Sequence, residues 1–355
     1  MEPQKPGQKP AQKKGLTYRD AGVDIDAQDD ALARIKALVG STRTRGVLSD
    51  LGSFGGLFEL SMDGLERPVL VSSADGVGTK LRAAFMTGIH HTVGRDLVNH
   101  CINDVLVQGA RPLFFLDYVA TGRLEPGVLA SVVEGLARGC KENGCALLGG
   151  ETAEMPGFYA DDEYDVAGFV VGIVDRDRVL DGSKVRPGDQ IVALPSAGMH
   201  TNGYSLARKI FFDVEGLKID DRVEELDATV GELLLAEHRS YLSMLSPPLA
   251  DDQIHALAHI TGGGLTDNVP RVLPAGCSAR IDRGSWEIPP LFKFMAEKGG
   301  VAEAEMFRTF NMGIGMVAIT SPDQAARLEA HLDGVGETHM RIGEIIEGDG
   351  EVVYA

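Results

Sequence analysis

One predicted helix carries two carboxylates close to a glycine-containing loop, a pattern that suits a divalent cation. Residues 92–109 place apolar side chains at the spacing of one helix face. At about 100° per residue, a polar stripe forms on the opposite face, within roughly a quarter turn: Asp96, His100, Asn103 and Asp104. A stripe of this kind is more often a solvated helix face. The neighbouring run DGVGTK at 75–80 favours a site for Mg²⁺, which prefers hard oxygen ligands.

Four segments share one sequence pattern, in which a short apolar run leads directly into a glycine-containing polar loop. The run at 68–73 leads into DGVGTK, and ALLGGETAEMPG at 146–157 is predicted to be a strand that breaks into a polar loop. The runs at 191–194 and 255–260 lead into PSAGMHTNG and TGGG. The last two loops precede predicted helices, and Asn202 is a candidate N-cap. Helix N-termini offer unpaired N–H groups that suit phosphate. Each loop alone is a weak signal, because many glycine loops only turn the chain.

The length of 355 residues indicates two domains, and further strands and helices are predicted around the loops. Residues 112–119 and 165–174 are predicted strands, and residues 128–142 a predicted helix. The turn-rich stretch after residue 174 predicts a boundary between 178 and 179. Residues 1–14 combine lysines with no apolar segment, which predicts a disordered tail and no signal peptide.

Composition excludes several classes of function. A formal net charge of −18 disfavours nucleic-acid binding, and no apolar run approaches the roughly 18 residues of a membrane span. The four cysteines form no CxxC pair, which indicates reduced thiols in a cytoplasmic protein. DGVGTK lacks the glycine spacing of a Walker loop. The GIGMVA run at 313–318 lies inside a predicted strand and therefore does not indicate a Rossmann fold.

The ordered strings of the chain resemble those of the phosphoribosylformylglycinamidine cyclo-ligase family, also called aminoimidazole ribonucleotide synthetases. The resemblance runs from about Tyr18 to the C-terminus, and eight strings in the same order make it specific. The strings are YRDAGVDIDA at 18–27, LGSFGGLF at 51–58, DGVGTK at 75–80, NDVLVQGARPLFFLDY at 103–118, GGETAEMPG at 149–157, HTNGYSL at 200–206, HITGGG at 259–264 and FNMGIGM at 310–316.

The resemblance implies a two-domain α+β fold, each domain a mixed or antiparallel sheet covered by helices. Residues 15–178 would form an ATP-binding and dimerisation domain, and residues 179–355 a C-terminal α+β domain completing the active site. The implied homodimer joins its N-terminal sheets. The implied reaction closes the ring of formylglycinamidine ribonucleotide with ATP, through an iminophosphate on the amide oxygen, and releases aminoimidazole ribonucleotide, ADP and phosphate.

The resemblance also directs attention to particular residues. The expected Mg²⁺ ligands are Asp75, Asp104 and Glu151, with Asp96 and Asn103 in a second tier. Lys80 and His200 are the candidate catalytic residues, Lys80 as the cation that contacts the transferred phosphoryl group. The expected ATP-binding residues are Asp75, Gly76, Val77, Gly78, Thr79, Lys80, Asn103, Asp104, Gly149, Gly150 and Glu151. The candidates for substrate or phosphate binding are Gly52, Ser53, Gly55, Gly56, Thr201, Asn202, Gly262, Gly263 and Gly264.

Other enzymes resemble the same superfamily: selenophosphate synthetase, thiamine-phosphate kinase and the hydrogenase-maturation dehydratase. A selenophosphate synthetase is disfavoured because the glycine-rich N-terminal segment contains no reactive cysteine. GGETAEMPG and HTNGYSL fit the cyclo-ligases better. A catalytically silent nucleotide-binding regulator is the alternative from another class, although it would not require a full set of carboxylates.

Overall fold

The computed structural model describes residues 15–355, so the tail predicted at 1–14 lies outside the described residues. The helices are α1 (Ile25–Gly40), α2 (Leu81–Thr87), α3 (His91–Leu106), α4 (Pro126–Glu142), α5 (Tyr204–Arg208), α6 (Val230–Leu234), α7 (Leu242–Ala250), α8 (Gly264–Asn268), α9 (Pro290–Gly299), α10 (Glu303–Thr309) and α11 (Pro322–Gly334). The strands are β1 (Pro68–Gly76), β2 (Arg111–Thr121), β3 (Ala146–Glu154), β4 (Tyr164–Asp175), β5 (Gln190–Pro195), β6 (Arg222–Val223), β7 (Ala228–Thr229), β8 (Ala256–His259), β9 (Cys277–Ile281), β10 (Ile314–Thr320), β11 (Met340–Glu347) and β12 (Val352–Tyr354).

The first sheet has four strands in the order β1-β4-β2-β3. β4 pairs antiparallel with β1 and β2, whereas β2 and β3 are parallel. Helices α3 and α4 cover one face of this sheet. Their backbones approach closely because Gly94 and Gly135 lie at the crossing. A Cβ atom on Gly94 would lie 2.1 Å from the Val132 carbonyl oxygen, so larger residues would separate the helices.

The second sheet has six strands in the order β12-β9-β11-β5-β10-β8. Its pairs are antiparallel except for β12 with β9. β10 lies between β5 and β8, and every residue of it is buried, which explains why its sequence is a continuous apolar run rather than an alternating one. GIGMVA therefore lies in a strand, as predicted. β8 ends at His259, and one residue separates it from the TGGG loop at 261–264.

The predicted α+β class, with two mixed sheets covered by helices, is confirmed. Within the predicted strand and loop at 146–157, β3 continues through Gly149, Gly150 and Glu151 and ends at Glu154. These residues pair with β2, whose hydrogen bonds hold them in the sheet. The boundary at 178 and 179 falls between the end of β4 and the start of β5, and it stays a prediction.

The four cysteines are buried and carry free thiols. Cys101 and Cys140 lie on α3 and α4, and burial raises the pKa of both thiols well above its usual range. Such thiols are poor nucleophiles at neutral pH. Across residues 15–355, none of the helices combines the length and the apolar character that crossing a bilayer requires.

Candidate active site

Helix α3 is buried on both of its sides, and its polar side lies at the junction between the two sheets. Its apolar side chains, such as Leu97 and Ile102, pack into the core beneath the first sheet. On the polar side, Asp96 and Asn103 are fully buried and His100 is only 5% exposed. Residues from the second half of the chain cover this side. The predicted polar stripe is therefore an internal surface and not a solvated helix face.

Lys80 and Asp96 form a buried ion pair at this junction. The Lys80 Nζ atom lies 2.6 Å from Asp96 Oδ2, and both side chains are fully buried. Lys80 also donates to the carbonyl oxygens of Ala236, at 2.7 Å, and His200, at 3.1 Å. These partners occupy all three donors of the ammonium group. Asp96 in turn accepts from the backbone N–H of His238 at 2.6 Å, so the pair ties the two halves of the chain together.

Four histidines converge beside this ion pair. The rings of His200 and His238 stack with centroids 4.0 Å apart, and His238 Nε2 lies 3.1 Å from His259 Nε2. His100 Nδ1 lies 2.7 Å from the Thr201 hydroxyl. Burial lowers the pKa of His200 and of His238 well below its usual range, so both rings are neutral at physiological pH.

Two predicted metal ligands, Asp75 and Asp104, meet next to these rings. His100 Nε2 lies 3.2 Å from Asp75 Oδ2 and 3.9 Å from Asp104 Oδ2. Asp104 Oδ1 lies 2.8 Å from His259 Nδ1, and its Oδ2 accepts from the Ser73 hydroxyl at 3.0 Å. Burial opposes ionisation of Asp104, but the His259 hydrogen bond and the nearby imidazoles lower its pKa to about 2. Asp104 is therefore a carboxylate at neutral pH.

Three of the predicted loops meet at the same junction. The Thr79 hydroxyl of DGVGTK lies 3.2 Å from the Ser205 hydroxyl. Asn202 lies so close to Gly262 that a Cβ atom there would be 3.2 Å from the Asn202 Oδ1 atom. Asn202 does not cap α5, because Gly203, with a φ of 78°, occupies the N-cap position. Its Nδ2 atom is instead a buried donor with no partner among the described residues.

Family models match both halves of the chain. Residues 61–174 match the N-terminal domain of the AIR synthase related proteins, and residues 186–355 match their C-terminal domain. The phosphoribosylformylglycinamidine cyclo-ligase of Geotalea daltonii is 52% identical over 95% of this chain and 97% of its own length. That of Syntrophotalea carbinolica is 53% identical over 94% and 95%. The chain belongs to the phosphoribosylformylglycinamidine cyclo-ligase family.

Solved structures share the fold with this cyclo-ligase family member at much lower identity. Thiamine-monophosphate kinase from Stenotrophomonas maltophilia has a TM-score of 0.65 and 18% identity, covering 91% of this chain and 95% of its own. The hydrogenase maturation protein HypE in complex with ATP has a TM-score of 0.63 and 19% identity, covering 89% and 88%. Both belong to the enzyme types that the sequence also resembles. The chain is 52% and 53% identical to the two cyclo-ligases, far more than to either of these solved structures.

The structure does not bring all of the predicted metal ligands together. Asp75 and Glu151 lie on β1 and β3, the outer strands of the first sheet. Three interstrand steps of about 4.8 Å separate them by roughly 14 Å, too far to share one ion within a chain. Asp96 is also excluded, because Lys80 and the His238 N–H occupy its oxygens. Asp75 and Asp104 remain as a pair.

The two predicted catalytic residues lie deeper than expected. Lys80 was expected to face a phosphoryl group, but its ammonium group is enclosed by Asp96 and two carbonyl oxygens. His200 is fully buried, and its Nε2 accepts from the Ala197 N–H at 3.1 Å. Both side chains are enclosed by protein, and the His200 Nδ1 atom is buried without a hydrogen-bond partner among the described residues. Both positions fit residues that hold the loops in place better than residues that contact substrate.

A second group of predicted residues lies elsewhere, at a cavity of about 160 Å³ between α1 and β3. Gly149, Gly150 and Glu151 line it together with Leu51 of the LGSFGG loop, and Gly56 of that loop packs on Leu148. Asp117 also faces this cavity, and burial raises its pKa to about 7. The predicted glycine loops therefore divide into two sets at different places on the first sheet.

Sequence reasoning missed several residues of the junction, above all His238 and His259. His259 ends strand β8 two positions before Thr261 of TGGG, so it lies at a junction of strand and glycine loop like the other predicted site residues. His238 lies in an irregular segment with no motif, so no sequence signal marks it. Ser73 ends the strand predicted at 68–73, and nothing in the sequence indicates that its hydroxyl donates to Asp104.

Proposed function

We propose that this chain closes the ring of formylglycinamidine ribonucleotide at the expense of ATP, giving aminoimidazole ribonucleotide, ADP and phosphate. The main support for the proposal is the sequence identity of 52–53%, over 94–95% of this chain, to phosphoribosylformylglycinamidine cyclo-ligases. Phosphoryl transfer to the amide oxygen converts it into a leaving group. The amine attached to the ribose then attacks the amide carbon, the ring closes, and phosphate leaves. No protein nucleophile is needed, so the chain acts by alignment and charge stabilisation.

Asp75 and Asp104 are the residues we propose to hold Mg²⁺ with the ATP phosphates. Their carboxylates lie near one imidazole nitrogen, at 3.2 and 3.9 Å, and Asp104 remains ionised at neutral pH. When bound, Mg²⁺ supplies positive charge next to the phosphoryl oxygens. ATP use is supported by the similarity of fold to the ATP complex of HypE. Ser73 orients Asp104 by its hydrogen bond, and this role requires no metal.

The loops at 200–203 and 261–264 are proposed to bind phosphate or substrate. The unpartnered Nδ2 donor of Asn202 lies where the two loops touch. Gly264 has a φ of 58°, and a Cβ atom there would lie 2.0 Å from the Phe307 carbonyl oxygen. A side chain at this position would displace the loop. The backbone N–H groups of such loops suit anionic oxygens in a protein with a net charge of −18.

Purified protein is expected to form aminoimidazole ribonucleotide from formylglycinamidine ribonucleotide when ATP and Mg²⁺ are present. The colorimetric assay for the aromatic amine measures the product, and phosphate release should match it one for one. Thiamine monophosphate, the substrate suggested by one structural neighbour, serves as the control and should give no ADP. Absence of the amine, from protein whose circular dichroism shows a folded chain, would contradict the proposed reaction.

We propose a homodimer formed through the open face of the first sheet. α3 and α4 cover only one face, and on the other face Phe169 is 43% exposed and Leu70 is 58% exposed. Phe169 lies in register with Ala74 on β1 and Leu116 on β2, so apolar residues line up across three strands. An exposed apolar patch on a sheet is typical of a protein interface.

Phe169→Glu is expected to shift the dimer towards monomer, because association would bury the new carboxylate without a partner. Sedimentation velocity across a concentration series measures this change. Val335→Glu, at a residue 53% exposed after α11, is the matched control and should sediment like the unchanged protein. A monomeric unchanged protein, or a Phe169→Glu dimer of undiminished strength, would rule out this interface.

We also propose that the chain works in the cytoplasm without nucleic acid. Its buried free thiols suit a reducing compartment. Its net charge of −18 repels phosphate backbones. Its partners are then the small phosphorylated substrate, ATP and a second copy of the chain.

A further inference from the structure

Arg208, the last residue of α5, is a cation without an anionic partner in the described part of the chain. Across residues 15–355, no carboxylate oxygen lies within ion-pair distance of its guanidinium group, and its buried Nε atom has no hydrogen-bond partner. The chain carries 52 acidic residues against 34 lysines and arginines, so an arginine has many carboxylates available. A buried donor that stays unpaired requires an explanation, and an external anion supplies one.

The geometry of α5 directs this side chain towards the junction between the two sheets. Helical side chains lean towards the N-terminus of their helix, and at about 100° per residue Arg208 projects between Tyr204 and Ser205, one turn earlier. The Ser205 hydroxyl lies 3.2 Å from the Thr79 hydroxyl, and the Lys80 Nζ atom lies 5.6 Å from the centre of the Tyr204 ring. Arg208 is therefore on the face of α5 that meets the DGVGTK loop.

The backbone on either side of α5 gives two further indications of a ligand. After Arg208, residues Lys209–Val214 continue the chain as a π-helix rather than an α-helix. Such segments are rare, and they occur frequently at functional sites. Before α5, the Asn202 Nδ2 atom is a second buried donor without a partner among the described residues. Two unpaired buried donors therefore flank this short helix, one near each end.

Two other cations at the junction are already neutralised by the protein. Lys80 is paired with Asp96, and Arg239 is paired with Glu337. The charge of each is balanced by a carboxylate of the chain itself, whereas the charge of Arg208 is available to a ligand. Arg208 is partly exposed, so a ligand can reach its guanidinium group although the Nε atom is covered.

We propose that Arg208 binds the 5′-phosphate of the ribonucleotide substrate. The inference rests on the proposed function and names a residue that recognises this substrate. A guanidinium group presents parallel N–H donors that match two phosphate oxygens, and it stays charged at neutral pH. The ATP phosphates are proposed to bind with Mg²⁺ at Asp75 and Asp104. The 5′-phosphate has no such metal, so in a chain of net charge −18 it needs a cation from the protein.

Calorimetric titration of the full-length protein with ribose 5-phosphate tests the site without turnover. We expect saturable binding of ribose 5-phosphate, none of ribose, and a dissociation constant that Arg208→Met raises about 10- to 100-fold, the scale of losing a charged hydrogen-bonded contact. Arg208→Lys keeps the charge without the paired donors and should recover only part of the affinity. Lys209→Met is the matched control, because it removes the same charge from the adjacent exposed residue and should bind ribose 5-phosphate normally. Equal affinity in Arg208→Met and the unchanged protein, or no saturable binding, would overturn the proposal.

Steady-state kinetics distinguish the two reactants that carry phosphate. We expect Arg208→Met to raise KM for formylglycinamidine ribonucleotide about 10- to 100-fold, with little change in kcat or in KM for ATP. An increase confined to KM for ATP would mean that Arg208 binds the nucleotide, and would overturn the proposal. A lower kcat with an unchanged KM for the substrate would show a purely structural role and overturn it as well. If ribose 5-phosphate binds through Arg208 but no aminoimidazole ribonucleotide forms, the proposed function is wrong and the phosphate site stands.

Discussion

Lys80→Ala is expected to lower the free energy of unfolding by about 3–5 kcal/mol, the scale of breaking a buried ion pair from one side. The substitution removes the only cation within ion-pair distance of the buried Asp96 carboxylate among residues 15–355. It also leaves the carbonyl oxygens of His200 and Ala236 without a donor. Burial already raises the pKa of Asp96, and loss of Lys80 would raise it further, towards a protonated acid. Chemical denaturation followed by circular dichroism measures the loss.

Two comparisons separate this structural role from direct catalysis. Lys184→Ala breaks an exposed pair with Asp252, whose side chains are 48% and 76% exposed, and should cost at most about 1 kcal/mol. Adding Asp96→Asn to Lys80→Ala should recover part of the lost stability, because no buried carboxylate is then left unpaired and the amide oxygen can still accept from the His238 N–H. If Lys80 instead contacts the transferred phosphoryl group, Lys80→Ala would keep its stability and lose about 10²- to 10³-fold in kcat. That result would refute the structural role.

Periodicity and glycine placement were sufficient to predict the elements that carry the site. The strand at 68–73 and the helix at 92–109 appear as β1 and α3, with boundaries moved by a few residues. Both signals are local, since strands alternate with period two and helices repeat every 3.6 residues. Local signals did not show where the strand that starts at residue 146 ends, because pairing with β2 keeps even the glycines at 149–150 in β3.

The surroundings of the polar face of α3 could not be predicted from sequence. A carboxylate on a helix face looks the same whether it meets water or a lysine in another segment. Asp96 meets Lys80, 16 positions earlier, and the His238 N–H, 142 positions later. These contacts depend on how the two sheets pack. The same packing covers Lys80 and His200, which sequence reasoning placed in contact with the reacting groups.

Strand order explains the other difference. Asp75 and Glu151 are both carboxylates that follow apolar runs, and this shared pattern suggested that they bind the same metal ion. In the sheet, β4 and β2 lie between their strands, because β4 returns antiparallel to pair with β1. Asp104 reaches Asp75 from a helix instead, since α3 crosses beneath β1. Only the topology decides which two of the three carboxylates can share an ion.

Asp75→Asn and Asp104→Asn are each expected to reduce kcat/KM of the cyclo-ligase reaction by about 10²- to 10³-fold or more, the scale of losing a preorganised electrostatic contact in the transition state. An amide removes one negative charge from the place where the metal is proposed to bind, with little change in shape. Asp104→Asn also removes the contact between the Asp104 carboxylate and the His259 ring. The apparent dissociation constant for ATP, measured by calorimetry at limiting Mg²⁺, should rise in both variants. ATP binding without the metal should change much less.

Glu151→Gln is the matched control, because it makes the same chemical change at the third predicted ligand, on a strand roughly 14 Å away. If the ion is shared only by Asp75 and Asp104, this variant keeps the Mg²⁺ dependence of ATP binding. Even if this variant loses activity, the Mg²⁺ concentration that gives half-saturation should be the same as in the unchanged protein. A Glu151→Gln variant whose Mg²⁺ dependence shifts as strongly as that of Asp104→Asn would contradict this assignment. The ion would then have to bind between chains, where β3 of one copy could approach β1 of the other across the proposed interface.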